Sequence, residues 1–131
     1  ANRLVADFMG LVNLVSGKVL EVRSGTGKIE LGHAMTLDVA LPTGTSVGDN
    51  VEVAIRPENI RLAKFGNGSP SRAKISERTF LGNISEYYAT LDSGQTLRVQ
   101  THPLQVFALD EPVAIEIDAS QCSVFRGQVA T

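Results

Sequence analysis

The sequence predicts an all-β fold in which two interleaved halves build small β-barrels, with one short helix at the N-terminus. Short runs of alternating apolar and polar residues recur between turn signals roughly every 8–12 residues, which is typical of barrels and sandwiches. The 12 glycines and 5 prolines are spread along the 131 residues rather than clustered. Hydrophobic residues make up 43% of the chain and charged residues 20%, a composition typical of a globular domain.

The first predicted element is the exception to the β pattern. Leu4, Val5 and Phe8 recur at helical spacing, and Gly10 can end a helix. We therefore assign residues 1–16 to a short amphipathic helix followed by a linker.

The first half of the barrel region, residues 17–65, alternates strands with turns rich in glycine and proline. Pro57 cannot donate a ladder hydrogen bond, so a strand should break there and restart. The strands predicted in this half are Lys18–Arg23, Lys28–Leu31, Met35–Leu41, Val51–Arg56 and Ile60–Ala63.

The second half, residues 72–131, follows the most loop-like stretch, Gly66–Ser71, where we place the seam between the halves. The turn residues Asp92–Gly94 lie between two alternating runs and predict a hairpin. The strands predicted here are Ala73–Leu81, Ile84–Leu91, Gln95–Thr101, Pro112–Ile117 and Cys122–Phe125. We find no strong internal repeat, but two barrels of the five-stranded OB type would use all nine or ten strands.

Charge and cysteine content exclude several classes of function. The net charge of −2 provides no general attraction to nucleic acid or to anionic membranes. The single cysteine, Cys122, cannot form an internal disulfide and fits a reducing compartment. No apolar run approaches the ~20 residues of a membrane span, and no signal-peptide pattern opens the chain. The chain begins at Ala1 without a methionine, and we therefore expect a fragment or a processed product.

The residues needed for catalysis or for a metal site are missing from the pattern. The only histidines, His33 and His102, have no cysteine or histidine neighbour at ligand spacing. We interpret both as surface or capped side chains, and Cys122 as a small buried hydrophobe. The glycine-rich stretch Ser24–Ile29 fails as a phosphate loop because its final hydroxyl position is Ile29. We read it as a hairpin turn.

Three aromatic residues are the best candidates for a nucleic-acid platform of the OB type. Phe80, Tyr87 and Tyr88 are close in sequence, but Glu77 and Glu86 flank them. Binding to phosphates through counterion release needs clustered cations, so we favour core or interface packing as the role of these rings and expect no nucleic-acid partner.

Several short strings together resemble a known family. Val5–Gly10 resembles the opening of the C-terminal domain of ABC importer ATPases, and Val53–Ile60 resembles the "hydrophobic-Arg-Pro-Glu-Asp-hydrophobic" signature of that domain. The same order and similar separations hold for Phe80-Leu81-Gly82, Glu86-Tyr87, Gly94-Gln95 and Cys122–Phe125. The chain is thus similar over essentially its whole length to the TOBE (transport-associated OB) regulatory domain, most of all in polyamine, iron(III) and phosphonate-type importers.

The resemblance implies a non-catalytic regulatory and dimerisation domain. ATP and magnesium would be bound only by a separate nucleotide-binding domain that this chain lacks, so no cofactor is expected here. The implied partners are a second copy, the parent nucleotide-binding domain and, through the parent protein, membrane permease subunits. The implied location is the cytoplasmic face of the bacterial cell membrane. The alternative from another class is a stand-alone module that binds small oxyanions such as molybdate.

The residues that carry the family motif are expected to be structural: Arg56, Pro57, Glu58, Phe80 and Gly82. Turn chemistry at Pro57 accounts for the spacing of the Arg-Pro-Glu triplet. An isolated strand glycine such as Gly82 predicts a bulge or a close backbone approach. The sequence departs from the family pattern at Asn59, where an aspartate is usual, and at Ala108–Pro112, where the family usually has a glycine turn.

Overall fold

The computed structural model describes residues 12–32, 35–66 and 72–126. The helix expected near the N-terminus, most of the stretch Gly66–Ser71 and His33 lie outside these residues. Strands dominate the described part, so the predicted all-β, OB-like class is confirmed. The elements are β1 (Asn13–Val22), β2 (Thr26–Glu30), β3 (Thr36–Ala40), β4 (Asn50–Ile55), a 3-10 turn (Pro57–Asn59), β5 (Ile60–Lys64), β6 (Arg72–Phe80), β7 (Ser85–Leu91), β8 (Thr96–Thr101), β9 (Pro112–Ile117), a second 3-10 turn (Ala119–Gln121) and β10 (Ser123–Arg126).

Each strand predicted from the sequence corresponds to an observed strand, and the largest difference is at the start of β1. This strand begins at Asn13, inside the segment expected to be a linker. Asn13 lies opposite Ile55 in the antiparallel ladder with β4, and Val15 lies opposite Val53. Both valines are buried, so the extra residues of β1 gain ladder hydrogen bonds and apolar burial together.

The described residues fall into two compact units. The first takes in the chain up to Arg56 and again from Asp118, and the second is Pro57–Ile117. These units differ from the two halves expected on either side of Gly66–Ser71, because a polar turn marks where a chain bends and not where it enters another barrel.

Each unit contains one antiparallel five-stranded sheet. The strand order is β10-β4-β1-β2-β3 in the first unit and β5-β9-β6-β7-β8 in the second. The edge strands of each sheet come close to one another, β3 beside β10 and β5 beside β8, as in a partly open OB barrel. The chain thus leaves the first unit after β4 to supply β5 to the second, and returns after β9 to supply β10 to the first.

The two units repeat the same local structure. A β-bulge interrupts β1 between Val19 and Glu21, and a bulge interrupts β6 between Ile75 and Glu77. The residue before the first bulge, Val19, donates its N–H to the carbonyl of Asp49 at 3.0 Å. In the second unit, the Ile75 N–H donates to the carbonyl of Glu111 at 3.1 Å. Ile75 is therefore the counterpart of Val19.

The connections before the fourth strand of each sheet also match. The Asp49 carboxylate accepts from the Ser46 N–H at 2.8 Å, and the Glu111 carboxylate accepts from the Ala108 N–H at 2.8 Å. Gly48 has a φ of +92°, and the equivalent Asp110 has a φ of +65°. Asp110 thus adopts the left-handed conformation for which the family usually has glycine, which explains how the sequence departs from the pattern without losing the turn.

The interiors of the two sheets are filled in different ways. Gly27 in β2 lies opposite Val39, and its counterpart Tyr87 in β7 lies opposite Val99. A Cβ atom at Gly27 would collide with the backbone oxygen of Glu21, so this position excludes every side chain. Tyr87, by contrast, is fully buried and fills the second unit.

Candidate functional site

The first unit carries an open cleft of about 310 Å³ on one side of its barrel. The cleft lies where β2 and β3 face the second 3-10 turn, next to the start of β10. In OB folds this side of the barrel, formed by the second and third strands and a nearby loop, is the usual ligand face. The lining residues are Thr26, Asp38, Val39, Ala40, Ala119, Ser120 and Cys122.

The counterpart of this region in the second unit is occupied by larger side chains. Pro57 and Ala119 each open a 3-10 turn, and Ile60 and Cys122 each follow that turn directly. Pro57 and Ile60 are buried, whereas Ala119 and Cys122 are half-buried and line the cleft. Smaller residues at the same two positions therefore account for the cleft of the first unit.

The polar groups of the cleft are mainly acceptors. The Asp38 carboxylate lies 3.9 Å from the Arg23 guanidinium, and both side chains are more than half exposed, so this pair contributes little to stability. The Ser120 hydroxyl donates to the Asp118 carboxylate at 2.6 Å. No lysine or arginine is among the lining residues.

Cys122 is the one thiol at the cleft. Burial raises the pKa of Cys122 to about 11, and the nearby Asp118 carboxylate adds to the shift. The Sγ atom donates to the Asp118 carbonyl oxygen at 3.6 Å. Because only the thiolate is a good nucleophile, this environment suits a packing role for Cys122 and not a catalytic one.

Metal and acid–base chemistry have few candidates in the described residues. Within residues 12–32, 35–66 and 72–126, no group of three or more His, Cys, Asp or Glu side chains could hold a metal ion. His102 is exposed, and its Nδ1 accepts from the Leu104 N–H at 3.1 Å, so it is the capped surface histidine expected from the sequence.

The Arg-Pro-Glu triplet stands at the point where the chain passes from β4 to β5. Pro57 is fully buried and begins the 3-10 turn, as the strand break expected at proline requires. Arg56 and Glu58 are both exposed on either side of it. Because a 3-10 turn replaces the strand here, the two charged residues do not lie on one pleat face.

Phe80 and Gly82 lie at the turn between β6 and β7. The Phe80 ring is 57% exposed, so it does not belong to the core that we had considered for it. The Arg78 guanidinium lies over this ring, 6.0 Å from its centroid. Gly82 has a φ of +91°, and nothing lies within 4 Å of the place where a Cβ would stand. The backbone conformation, not a close approach, is what favours glycine there.

The three aromatic residues considered as a nucleic-acid platform are not presented together. Tyr87 is fully buried and Tyr88 follows it on the opposite face of β7, while Phe80 lies at the exposed end of β6. The Tyr87 ring meets Phe107 edge-to-face at 5.6 Å between centroids. Sequence reasoning placed Tyr87 correctly as a packing residue but missed its hydroxyl, which holds the connection between β8 and β9.

That connection is an ordered part of the second unit. The Tyr87 hydroxyl accepts from the Phe107 N–H at 3.0 Å and donates to the Gln105 carbonyl at 3.2 Å. The Gln105 side chain donates to the Leu62 carbonyl at 2.9 Å. Because the stretch mixes one proline, apolar residues and two acids unevenly, it gives no periodic signal from which its structure could be predicted.

No helix in the described ranges has the length and apolar character required to cross a membrane. The helical residues there are confined to the two 3-10 turns.

Comparison with solved structures shows a close likeness of fold. The cytoplasmic molybdate-binding protein ModG, solved with molybdate bound, superposes with a TM-score of 0.76 at 14% sequence identity. The match covers 86% of this chain and 94% of the ModG chain. At this level of identity the likeness shows the fold alone.

Comparison with curated proteins gives relatives of one kind. The spermidine/putrescine import ATP-binding protein PotA of Rubrobacter xylanophilus is 31% identical over 133 residues, which covers 98% of this chain and 35% of the relative. The protein of the same name from Nitrosomonas europaea is 27% identical over 124 residues, covering 88% of this chain and 34% of the relative. The chain thus spans about a third of the length of the curated relatives it matches.

The family comparison agrees with the motifs and with the fold. The family model described as TOBE domain matches residues 53–125, more than half of the chain. That range runs from β4, through the Arg-Pro-Glu turn and the whole second unit, into β10. This chain therefore belongs to the TOBE domain family.

Proposed function

We propose that this chain is the regulatory, non-catalytic domain of the ATP-binding subunit of an ABC importer. The observation that carries the proposal is the alignment of 98% of the chain with about a third of an import ATP-binding protein. The raised pKa of Cys122 keeps its thiol neutral and weakly nucleophilic, which is in keeping with a packing role for this residue.

ATP and magnesium would then be bound by the part of the relatives that this chain does not span. A domain of this kind acts through contacts: with a second copy, with the parent nucleotide-binding domain and, through the parent subunit, with membrane permeases. The proposed location is the cytoplasmic face of the membrane, as a peripheral part of the transporter complex.

The coding sequence upstream of Ala1 provides the first test. We expect an in-frame strand-loop-helix with a Gly-x-x-x-x-Gly-Lys-Ser/Thr motif, because that loop would hold the phosphates and the magnesium ion. A start codon directly before Ala1, with no such segment in the same polypeptide, would contradict the proposal.

ATP hydrolysis provides the second test. The longer subunit in proteoliposomes with its permease should hydrolyse ATP, and the purified chain alone should neither bind nor hydrolyse it. Glu58 of the Arg-Pro-Glu triplet has an exposed side chain, and the substitution Glu58→Gln should leave ATP binding by the longer subunit unchanged. Nucleotide binding by the chain alone would count against the assignment.

Binding of a small oxyanion is the second candidate function, because the ModG structure that this fold resembles holds molybdate. The cleft of the first unit argues against it, since a carboxylate and hydroxyl groups line the cleft without any lysine or arginine. Calorimetric titration with molybdate, tungstate, sulfate and phosphate distinguishes the two. Micromolar binding of any of them would favour the oxyanion function.

A further inference from the structure

The connection between β8 and β9 presents apolar side chains to solvent at three positions. Leu104 is 86% exposed, Val106 is 56% exposed and Leu109 is 55% exposed. Gln105, between Leu104 and Val106, is half-buried, and Phe107, directly after Val106, is buried, so both side chains point inward. We call residues 104–109 the apolar arm.

The backbone of the apolar arm is fixed from the inside. Phe107 donates its N–H to the Tyr87 hydroxyl, and its carbonyl accepts from the Arg78 guanidinium at 3.0 Å. Gln105 is held through its side chain by the Leu62 carbonyl. A segment that is already ordered loses little conformational entropy on binding, so its exposed side chains are prepared for a partner.

The equivalent connection in the first unit is a control provided by the repeat. It runs from Leu41 to Asp49, and its exposed residues besides Val47 are Thr43, Gly44, Ser46 and Gly48. Only Val47, the counterpart of Leu109, is a large exposed apolar side chain there. Both connections support the same turn and the same capping carboxylate, so the fold does not require Leu104 and Val106 to be apolar.

Phe80 extends the surface. The Arg78 guanidinium binds the Phe107 carbonyl of the arm and also lies over the Phe80 ring, which places that ring beside the arm. The exposed parts of the ring and of the three aliphatic side chains amount to on the order of 400 Å². This equals the largest apolar patch on many monomers, and such patches mark interaction sites.

We infer that the apolar arm, together with Phe80, is the surface through which two copies of this chain associate. A two-fold interface of standard size takes about 800 Å² from each partner, of which roughly 55–65% is apolar, close to what this surface offers. Its rim carries both signs of charge, with Arg78 on one side and Asp110 and the Lys64–Glu111 ion pair at the end of the arm, so an identical face is not repelled. The inference rests on the proposed function and assigns its dimer contact to a particular surface.

Sedimentation velocity on the purified chain between about 1 µM and 300 µM tests the assignment. We expect a concentration-dependent dimer, and we expect the double variant Leu104→Asp/Val106→Asp to raise the dimer Kd at least about ten-fold. Val47→Asp, at an equally exposed position of the equivalent connection, is the matched control and should leave the Kd unchanged. Thermal melts should show all three proteins folded, because the changed side chains are exposed.

A chain that stays monomeric over the whole range overturns the inference. So does a double variant that dimerises as well as the parent chain, or a control that weakens the dimer equally. Each of these results would leave the proposed regulatory function unaffected. The absence of an encoded upstream nucleotide-binding segment would instead contradict that function and would not affect the dimer.

Discussion

Removing the hydroxyl of Tyr87 should destabilise the second unit, because this hydroxyl holds the connection between β8 and β9. It accepts one backbone hydrogen bond, from Phe107 at 3.0 Å, and donates another, to Gln105 at 3.2 Å. The substitution Tyr87→Phe removes both bonds and keeps the ring, its burial and its edge-to-face contact with Phe107. The change therefore isolates the hydrogen bonds from the packing.

The expected loss follows from the two groups left behind. Each neutral hydrogen bond contributes a net 0.5–1.5 kcal/mol or so, and a buried donor without a partner costs about 1–3 kcal/mol. The Phe107 N–H is buried and would be left without a hydrogen-bond partner, while Gln105 is half-buried and its carbonyl can accept a hydrogen bond from water. We expect the free energy of unfolding to fall by about 2–3 kcal/mol and the Tm to fall by roughly 5–10 °C.

Urea denaturation measures the change in the free energy of unfolding of the chain, and amide hydrogen exchange at Phe107 measures the change in local stability. The exchange rate of that amide should rise more than the rates of amides in β1 and β2, because the loss is confined to the arm. Tyr88→Phe is the control, since Tyr88 is half-buried on the outer face of the same strand and should change stability by less than about 0.5 kcal/mol. Equal effects of the two substitutions would refute the reasoning.

Four further perturbations follow from the geometry. Phe80→Ala should cost about 1 kcal/mol or less in urea denaturation, because the ring is 57% exposed, and a cost near the 3–5 kcal/mol of a core ring would contradict that placement. Gly82→Val should cost about 1–3 kcal/mol because a β-branched residue is strained at a φ of +91°, and Gly82→Asn should cost less. Asp110→Gly should be nearly neutral in the same assay while Asp110→Val destabilises; equal effects would exclude a role for the left-handed backbone. The Cys122 thiol should react with iodoacetamide at pH 8 on the order of 100-fold more slowly in the folded chain than in the unfolded chain. Since folding raises the pKa of Cys122 from 9.0 to about 11, its contribution to stability is present below pH 9 and is lost as the pH rises from 9 to 11.

Turn chemistry explains why the strands could be predicted from the sequence. Pro57 breaks a strand because it cannot donate a ladder hydrogen bond, and the Asp92–Gly94 turn closes a hairpin because Gly94 adopts a φ of +94°. These are local properties of one or two residues. The start of β1 was missed because Asn13 and Ser16 gain their place only from pairing with β4, far away in sequence.

The exchange of the fifth strands had no local signal. β5 and β10 each follow a short 3-10 turn and pair in equivalent registers, Arg61 opposite Glu116 and Ser123 opposite Ala54. The residues in these pairs are different in the two units, so the repeat is a repeat of geometry. A search for similar residues cannot detect a repeat of this kind. The polarity of Gly66–Ser71 therefore predicts the boundary between the halves in that loop instead.

The candidate sites were predictable only in part, for a related reason. The sequence identified Pro57 and Gly82 because each constrains the backbone by itself. The cleft needed a comparison of Pro57 with Ala119 and of Ile60 with Cys122, which becomes visible only once the two units are aligned through their hydrogen bonds. For Phe80 the sequence leaves core and interface packing open, and its exposed place at the end of β6 excludes only the core.

The two units separate what the fold requires from what it leaves free. Both keep the bulge after Val19 or Ile75, the left-handed residue at Gly48 or Asp110 and the carboxylate of Asp49 or Glu111, because each satisfies backbone groups that every barrel of this shape must satisfy. The units differ at the cleft and in the exposed side chains of the apolar arm, Leu104 and Val106, which take no part in these backbone contacts. The fold therefore does not dictate the residues at these two surfaces, which makes them the first places to look for the contacts of this domain.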